Sequence, residues 1–366
     1  MVKELFTLKE KERIDTVDQL WGVLDDALGE KQKGNTQIVA AMTPFTNPGE
    51  LKRSLITWGF SIKGEWGNLL HVTKEREVPF YAFLTDPVVL FITLARKTED
   101  IPGTILNYLR SADDVVLIRM GSRRMRMIRN TLADRFPGIR LSYFTAHREP
   151  HSSIPSACRK ESQRTIIYSG ADGFDTLEEM EYQYGIVSRI MEFHYDGTVY
   201  GKLGIRFDVN GIFTITDGPS LIARFIVDGL ITEQKTMCID AVNAWKETDG
   251  VASGSGPISG VLGQRWNRDT IERMRENLAS EWDITGFLSV TNIRNEYHYS
   301  RIVDVIDGSV WDLILNGDGF SLTPVRGAGL RSFMKIVDVV DDHLGLVMEG
   351  QRTDIAALLG EEEGFE

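Results

Sequence analysis

Arginine is concentrated in one segment of the chain, where it could bind phosphate groups. Between positions 115 and 165, ten Arg and one Lys stand against three carboxylates, a local net charge of +8 in a chain whose total is −12. Guanidinium groups form bidentate hydrogen bonds with phosphate and carboxylate oxygens, so the excess of Arg over Lys favours directed contacts. The segment therefore indicates an anionic partner.

The densest arginines of this segment are predicted to lie at the start of a helix. Ser122 is the expected N-cap, and Arg123, Arg124 and Arg126 fall in the first turn. Unpaired backbone amides and the positive end of the helix dipole would meet the guanidinium groups there, which favours a bound phosphate. Further candidate contacts to the backbone of a nucleic acid are Arg140, Arg148, Arg159 and Lys160. Tyr143 and Phe144 could stack on exposed bases.

Clustered positive charge does not by itself specify its partner. The same arginines could pair with the chain's own carboxylates at a domain or subunit interface, or bind a small phosphorylated ligand. The GxxxxGK[ST] and GxGxxG patterns are absent from the sequence, so a nucleotide site of either kind has no support.

A second candidate site is a repeated Glu-x-His pattern, Glu192 with His194 and Glu296 with His298. Residues two apart on a strand project from the same face, so each copy could present a carboxylate beside an imidazole. Two copies facing each other would suit a divalent metal or general acid–base catalysis. The alternative is that these residues form the solvated face of two amphipathic strands whose aromatic neighbours fill the core.

Other catalytic patterns are absent from the sequence. It contains no GxSxG and no HExxH, and Cys158 and Cys238 show no CxxC or Cys/His spacing. The signal for an enzyme is therefore low, and no cofactor is expected.

The basic segment is predicted to be a β-α-β unit. VVLIRM from 115 to 120 is typical of a buried strand, 123–136 of a helix, and IRLSYF from 139 to 144 of a second strand. Such a crossover usually joins parallel strands. Met125, Ile128, Leu132 and Phe136 should pack on the sheet, so that Arg123 and Arg126 point away from it.

Three short patterns recur in the same order in the C-terminal half. They are TLEEM at 176–180 with TIERM at 270–274, EFHY at 192–195 with EYHY at 296–299, and GIFTIT at 211–216 with GFSLT at 319–323. Each copy is expected to form a helix, antiparallel strands and a closing helix, and the two copies to be related by a pseudo-two-fold axis. The N-terminal strands could hold a more distant third copy.

These features predict a mixed α+β fold in five parts. A chain of 366 residues exceeds the size of one hydrophobic core, and the Gly/Ser-rich stretch before residue 264 should be a flexible linker. The parts are an N-terminal α/β domain with the basic β-α-β segment (1–165), a first α+β repeat (166–248), a linker (249–263), a second α+β repeat (264–350), and a C-terminal helix with an acidic tail (351–366).

The composition is typical of a globular protein, with 42% hydrophobic and 26% charged residues. The charged N-terminus lacks the apolar stretch of a signal peptide, and no apolar run is long enough to span a bilayer, which predicts a cytoplasmic protein without membrane contact. We expect a non-enzymatic nucleic-acid-binding or regulatory protein, DNA-binding being one option. The alternatives are a structural protein whose basic patch binds an acidic partner or its own subunit in a homo-oligomer, and a metal-dependent hydrolase that uses the Glu-x-His pairs.

Overall fold

The mixed α+β class is confirmed by a computed structural model. It describes residues 5–6, 8, 12–31, 35–74, 78–95, 97–148, 165–246, 257–281, 284–292, 296–306, 308–327 and 329–348. The chain divides into an N-terminal unit, 1–232, and a C-terminal unit, 233–366, each with one large antiparallel sheet. No helix in the described part of the chain is both long and apolar enough to cross a membrane.

The N-terminal unit combines six helices with one sheet. Its helices are α1 (Val17–Lys31), α2 (Pro48–Thr57), α3 (Asn107–Ser111), which continues a π-helical turn at Pro102–Leu106, α4 (Ser122–Arg135), α5 (Gly173–Tyr184) and α6 (Leu221–Lys246), which extends beyond residue 232. Its strands are β1 (Thr36–Met42), β2 (Ser61–Trp66), β3 (Leu69–Lys74), β4 (Val78–Thr85), β5 (Val88–Thr93), β6 (Val116–Leu117), β7 (Arg140–Arg148), β8 (Thr165–Ser169), β9 (Ile186–Gly197), β10 (Gly201–Asp208) and β11 (Ile212–Asp217). The strand order is β2-β3-β4-β5-β1-β11-β10-β9-β7-β8, and β6 also pairs with β1.

The parallel crossover predicted for the basic segment is wrong. Strand, helix and strand follow one another as expected, but β6 pairs antiparallel with β1, and β7 pairs antiparallel with β8 and β9. Only Val116 and Leu117 of the predicted first strand are in the sheet, because the chain then turns away and the Met120 amide donates to the Val209 carbonyl at 3.0 Å. α4 therefore carries the chain past β11, β10 and β9 before β7 begins.

The predicted apolar face of α4 packs against the sheet. Met125 and Leu132 are fully buried and Phe136 nearly so. The Phe136 ring makes edge contacts with Tyr195 of β9 and Phe225 of α6, at centroid distances of 6.5 and 6.0 Å. This packing fixes which side of α4 is left for solvent, because apolar burial is the main energy that holds a helix against a sheet.

The C-terminal unit has a six-stranded antiparallel sheet in the order β13-β14-β15-β16-β12-β17. Its elements are β12 (Ile258–Leu262), α7 (Arg268–Glu281), β13 (Ile284–Asn292), β14 (Tyr297–Asp304), β15 (Val310–Asn316), β16 (Gly319–Arg326), α8 (Leu330–Leu344) and β17 (Leu346–Met348).

The C-terminal unit repeats the topology of residues 36–117. In each, a first strand is followed by a helix (α2 or α7), a four-stranded meander (β2–β5 or β13–β16), a further helix (α3 or α8) and a short last strand (β6 or β17). In each, the first strand pairs with both the end of the meander and the short last strand. The distant copy expected among the N-terminal strands therefore matches the C-terminal unit element for element.

The segment 166–248, predicted to be the first repeat, matches that topology only in part. α5 leads directly into β9, β10, β11 and α6, whereas β13 lies between α7 and β14. The predicted domain limits and the pseudo-two-fold axis stay predictions.

Candidate functional site

The N-cap of α4 is a glycine. Gly121 occupies this position and has no side chain that could accept a hydrogen bond from the first turn. The prediction that Ser122 is the N-cap is wrong, because Ser122 is already the first helical residue. Gly121 therefore supplies no side-chain acceptor at this helix start, where the positive end of the helix dipole lies.

Arg124 is not available for the anion contact that the sequence predicted for it. It is 7% exposed, and its Nη1 donates to the Arg119 carbonyl oxygen at 2.7 Å. Arg124 is buried because the buried face of α4 is wide enough to include both Arg124, next to Met125, and Arg129. Arg124 stabilises the turn that leads into the helix and is removed from the candidate anion contacts.

Two arginines of α4 share a single carboxylate. Glu181 Oε2 of α5 lies 3.0 Å from Arg129 Nη1 and 3.5 Å from Arg126 Nε. The Arg129 side chain is 6% exposed, whereas that of Arg126 is 51% exposed. Since one negative charge faces two positive charges, the solvent-exposed guanidinium of Arg126 keeps an uncompensated positive charge, and Arg123 is half-buried one turn away.

An arginine outside the basic segment lies at the same end of the sheet. The Met120 amide donates to the Val209 carbonyl, and the Val209 amide donates to the Arg189 carbonyl, both at 3.0 Å. Arg189 of β9 is exposed and makes no ion pair with any residue that the structure describes. Asp208 in the adjacent turn is neutralised by Lys97 at 2.7 Å, so the local charge stays positive. Sequence reasoning missed Arg189 because it is distant from residues 115–165.

Of the other predicted anion contacts that the structure describes, Arg148 lies at the same end of the sheet as Arg189 and Arg140 lies at the opposite end. Arg140 is exposed at the first position of β7, and Arg148 is half-buried at the last. A strand of that length separates them by about 26 Å. Arg159 and Lys160 lie outside the described residues.

The predicted stacking of Phe144 on bases is wrong. Phe144 is fully buried and stacks on Tyr168 of β8 at a centroid distance of 4.9 Å. Tyr143, on the opposite face of β7, is half-buried and is covered by the Arg206 guanidinium, 4.8 Å from the ring centroid. The sheet therefore offers no exposed aromatic at these two positions.

Glu192 and His194 lie side by side on β9, as the alternation predicts. Glu192 Oε1 and His194 Nε2 are 2.9 Å apart, and both side chains are partly exposed. The intervening Phe193 is fully buried on the other face. The pair can hold one imidazole in a fixed orientation, which suits proton transfer or ligand binding.

The second Glu-x-His copy does not reproduce this geometry. Glu296 precedes β14 in a turn with a left-handed φ of 48°, and His298 is 2% exposed. Both ring nitrogens of His298 are occupied, Nδ1 by Thr291 Oγ1 at 2.8 Å and Nε2 by Ser300 Oγ at 2.6 Å. Burial lowers the pKa of His298 to about 4. Among the residues whose placement is described, no group of three or more His, Cys, Asp or Glu could hold a metal ion, so the predicted four-ligand set is not formed.

A row of polar side chains crosses six neighbouring strands of the N-terminal sheet. Each member is paired in register with the next one. From β7 to β5 the row consists of Tyr143, Glu192, Arg206, Thr214, Gln37 and Thr93. Thr214 Oγ1 donates to Gln37 Oε1 at 2.6 Å in the fully buried part of the row. These residues are up to 177 positions apart, so no sequence pattern reveals the row.

Two comparisons with known proteins place these features in context. Residues 123–208, which include Arg126, Arg189, Glu192, His194 and Arg206, match the model of the AF_0896_M family middle domain. The chain is also similar to an uncharacterized protein of Archaeoglobus fulgidus, with 23% identity over 357 residues that cover 90% of this chain and 95% of the relative.

Proposed function

We propose that this protein is a non-enzymatic nucleic-acid-binding protein whose contact surface is the start of α4 with Arg126 and Arg189. The carrying observation is that Glu181 is shared by two guanidinium groups, of which the outer one, Arg126, is half exposed. A solvent-exposed arginine that shares its carboxylate with another arginine can bind a phosphate group at little desolvation cost.

The surroundings of Arg126 support a phosphate contact. The N-cap of α4 is Gly121, which has no side chain, and the positive end of the helix dipole at this helix start attracts an anion. Arg189 is tied to the start of α4 through two backbone hydrogen bonds that meet at Val209. A phosphodiester chain could therefore contact the helix start and two guanidinium groups together.

The contacts should be made with the phosphate backbone and not with bases. Phe144 is buried and the Tyr143 ring is covered by Arg206, so base stacking at these positions is excluded. Phosphate contacts carry no sequence information. The net charge of −12 repels nucleic acid elsewhere on the surface, so binding should be weak, independent of sequence and strongly salt-dependent.

Retention of a labelled oligonucleotide, single-stranded or double-stranded, tests this proposal. Two phosphate contacts predict that the logarithm of the binding constant falls with the logarithm of salt concentration with a slope of about −2, measured from about 50 to about 200 mM salt. Arg126→Ala and Arg189→Ala should each reduce that slope by about 1. Arg135→Ala is the matched control, because Arg135 is exposed at the opposite end of the same helix.

Two results would contradict the proposal. One is retention that does not change with salt, and the other is equal retention by Arg126→Ala, Arg189→Ala and Arg135→Ala. Retention of an acidic polypeptide in place of the oligonucleotide would favour the alternative of an acidic protein partner or a subunit contact in a homo-oligomer.

A further inference from the structure

The Arg206 side chain donates no hydrogen bond to any residue that the structure describes. Its guanidinium lies over the Tyr143 ring, with the central carbon 4.8 Å from the ring centroid. Its Nη1 is 3.7 Å from Glu192 Oε2, which is too long for a hydrogen bond. Stacking and a loose charge contact therefore orient the group while its N–H donors stay unused.

The unused donors of Arg206 are only partly open to water. The side chain is 35% exposed, but its Nε is completely buried and has no acceptor within the described part of the chain. A buried N–H without an acceptor costs free energy, and buried polar groups in native proteins nearly always have a partner. An acceptor from outside the chain could therefore reach Arg206 only at the exposed part of its side chain.

A second polar group without a hydrogen-bond partner, a hydroxyl, lies beside Arg206 on the same face of the sheet. Thr216 Oγ1 is buried and has no hydrogen-bond partner among the described residues. It lies over Gly204, which is two positions from Arg206 on β10, because a Cβ at Gly204 would be 2.4 Å from that hydroxyl. Gly204 is also the register partner of His194. Glycine at position 204 makes room for the Thr216 hydroxyl, which lies where a side chain of β10 would otherwise be.

We propose that Arg206, Thr216 and His194 form a receptor for one small oxyanion, a carboxylate or a phosphate group. The guanidinium fork matches two oxygens of such a group, and the threonine hydroxyl and the imidazole can add single hydrogen bonds. Glu192 does not compete for the fork, because its Oε1 is bonded to His194 at 2.9 Å and its Oε2 remains 3.7 Å from Arg206. The same carboxylate limits the ligand to a single anionic group by repelling a longer polyanion.

This receptor does not depend on the proposed contact with nucleic acid. It lies on the sheet face that carries Tyr143 and Glu192, whereas the nucleic-acid surface is formed by Arg126 and Arg189. A failure of one proposal therefore leaves the other unchanged.

Titration of the full-length protein with acetate and with inorganic phosphate, at constant ionic strength and followed by NMR, tests the receptor. Saturable shifts are expected at the amides of residues 204–206, and Arg206→Gln should weaken the affinity by roughly tenfold or more, since charge-assisted hydrogen bonds are lost. Arg206→Lys keeps the charge but loses the fork, so it should be intermediate. The two anions as separate arms show which oxyanion geometry is preferred.

The control variant is Arg224→Gln, which removes a surface arginine already paired with Asp18 at 2.6 Å and should bind like the wild type. Thr216→Val, nearly identical in shape, should also weaken binding, because it removes the hydroxyl that bonds the anion. Shifts that do not saturate in the wild type, or equal affinity of wild type and Arg206→Lys, would overturn the receptor without requiring the Gln variant to fold.

Discussion

Lys335 Nζ of α8 lies 2.8 Å from Asp304 Oδ2 at the end of β14, with 5% and 1% of the two side chains exposed. Removing one partner leaves a buried charge uncompensated, so Lys335→Met should lower the free energy of unfolding by about 3–5 kcal/mol. Urea denaturation measures this loss. Arg301→Ala removes a comparable but exposed pair with Asp312, and should cost much less, because solvent screens the charges of an exposed pair. Equal losses in the two variants would contradict the assignment of Lys335 to a buried pair.

The burial of His298 predicts a pH-dependent stability. The pKa of His298 falls from its ordinary 6.5 to about 4 in the folded protein, so the unfolded chain binds a proton first as the pH drops. The contribution of the neutral imidazole is complete above pH 6.5, falls between pH 6.5 and pH 4, and amounts to about 3 kcal/mol when fully lost. Urea unfolding of wild type and His298→Gln at both ends of this window checks it. The difference in stability between the two proteins should shrink at the acidic end, and a constant difference would contradict the prediction.

Gly211, in the β10–β11 turn, packs closely against Ile118, which lies four residues before the start of α4. It has a φ of 66°, and a Cβ there would lie 2.2 Å from the Ile118 carbonyl oxygen. Gly211→Ala should therefore destabilise the protein by about 2 kcal/mol or more and displace the helix start, which would also weaken oligonucleotide retention. Gly229→Ala is the control, because Gly229 is inside α6 with nothing within 4 Å of its Cβ position, and it should raise stability by up to about 1 kcal/mol. Thermal unfolding of the two variants separates these opposite signs.

Local periodicity was sufficient for some of the site. The apolar spacing of Met125, Leu132 and Phe136 predicts α4 to within one residue of its observed end at Arg135. The alternation of a strand predicts that Glu192 and His194 share a face. Both inferences concern neighbours on one element, where the backbone geometry alone decides which side chains meet.

Local periodicity could not predict the order of the strands in the sheet or the contacts between strands. The alignment of EFHY with EYHY suggested equal roles for Glu192 and Glu296, but Glu296 adopts a left-handed turn conformation ahead of its strand. Short matching sequence patterns do not determine which strands pair. The topological match between 36–117 and the C-terminal unit is therefore visible only in the strand order. The same limit hid Arg189 and the contact of Arg206 with Tyr143, which depend on non-local register.

Glu181→Gln should have opposite effects on stability and on nucleic-acid binding. Arg129 is buried and would lose its anion at 3.0 Å, so the free energy of unfolding should fall by about 3 kcal/mol. The exposed Arg126 would lose a competing carboxylate at 3.5 Å, so an oligonucleotide should be retained to higher salt. Asp134→Asn makes the same charge change near the other end of α4, about 12 Å along the helix from Arg126 and beyond the screening length of about 10 Å at 0.1 M salt, and should leave retention nearly unchanged. A purely structural role for Glu181 predicts weaker retention or none, so a decrease in retention together with the loss of stability would count against the phosphate-binding surface.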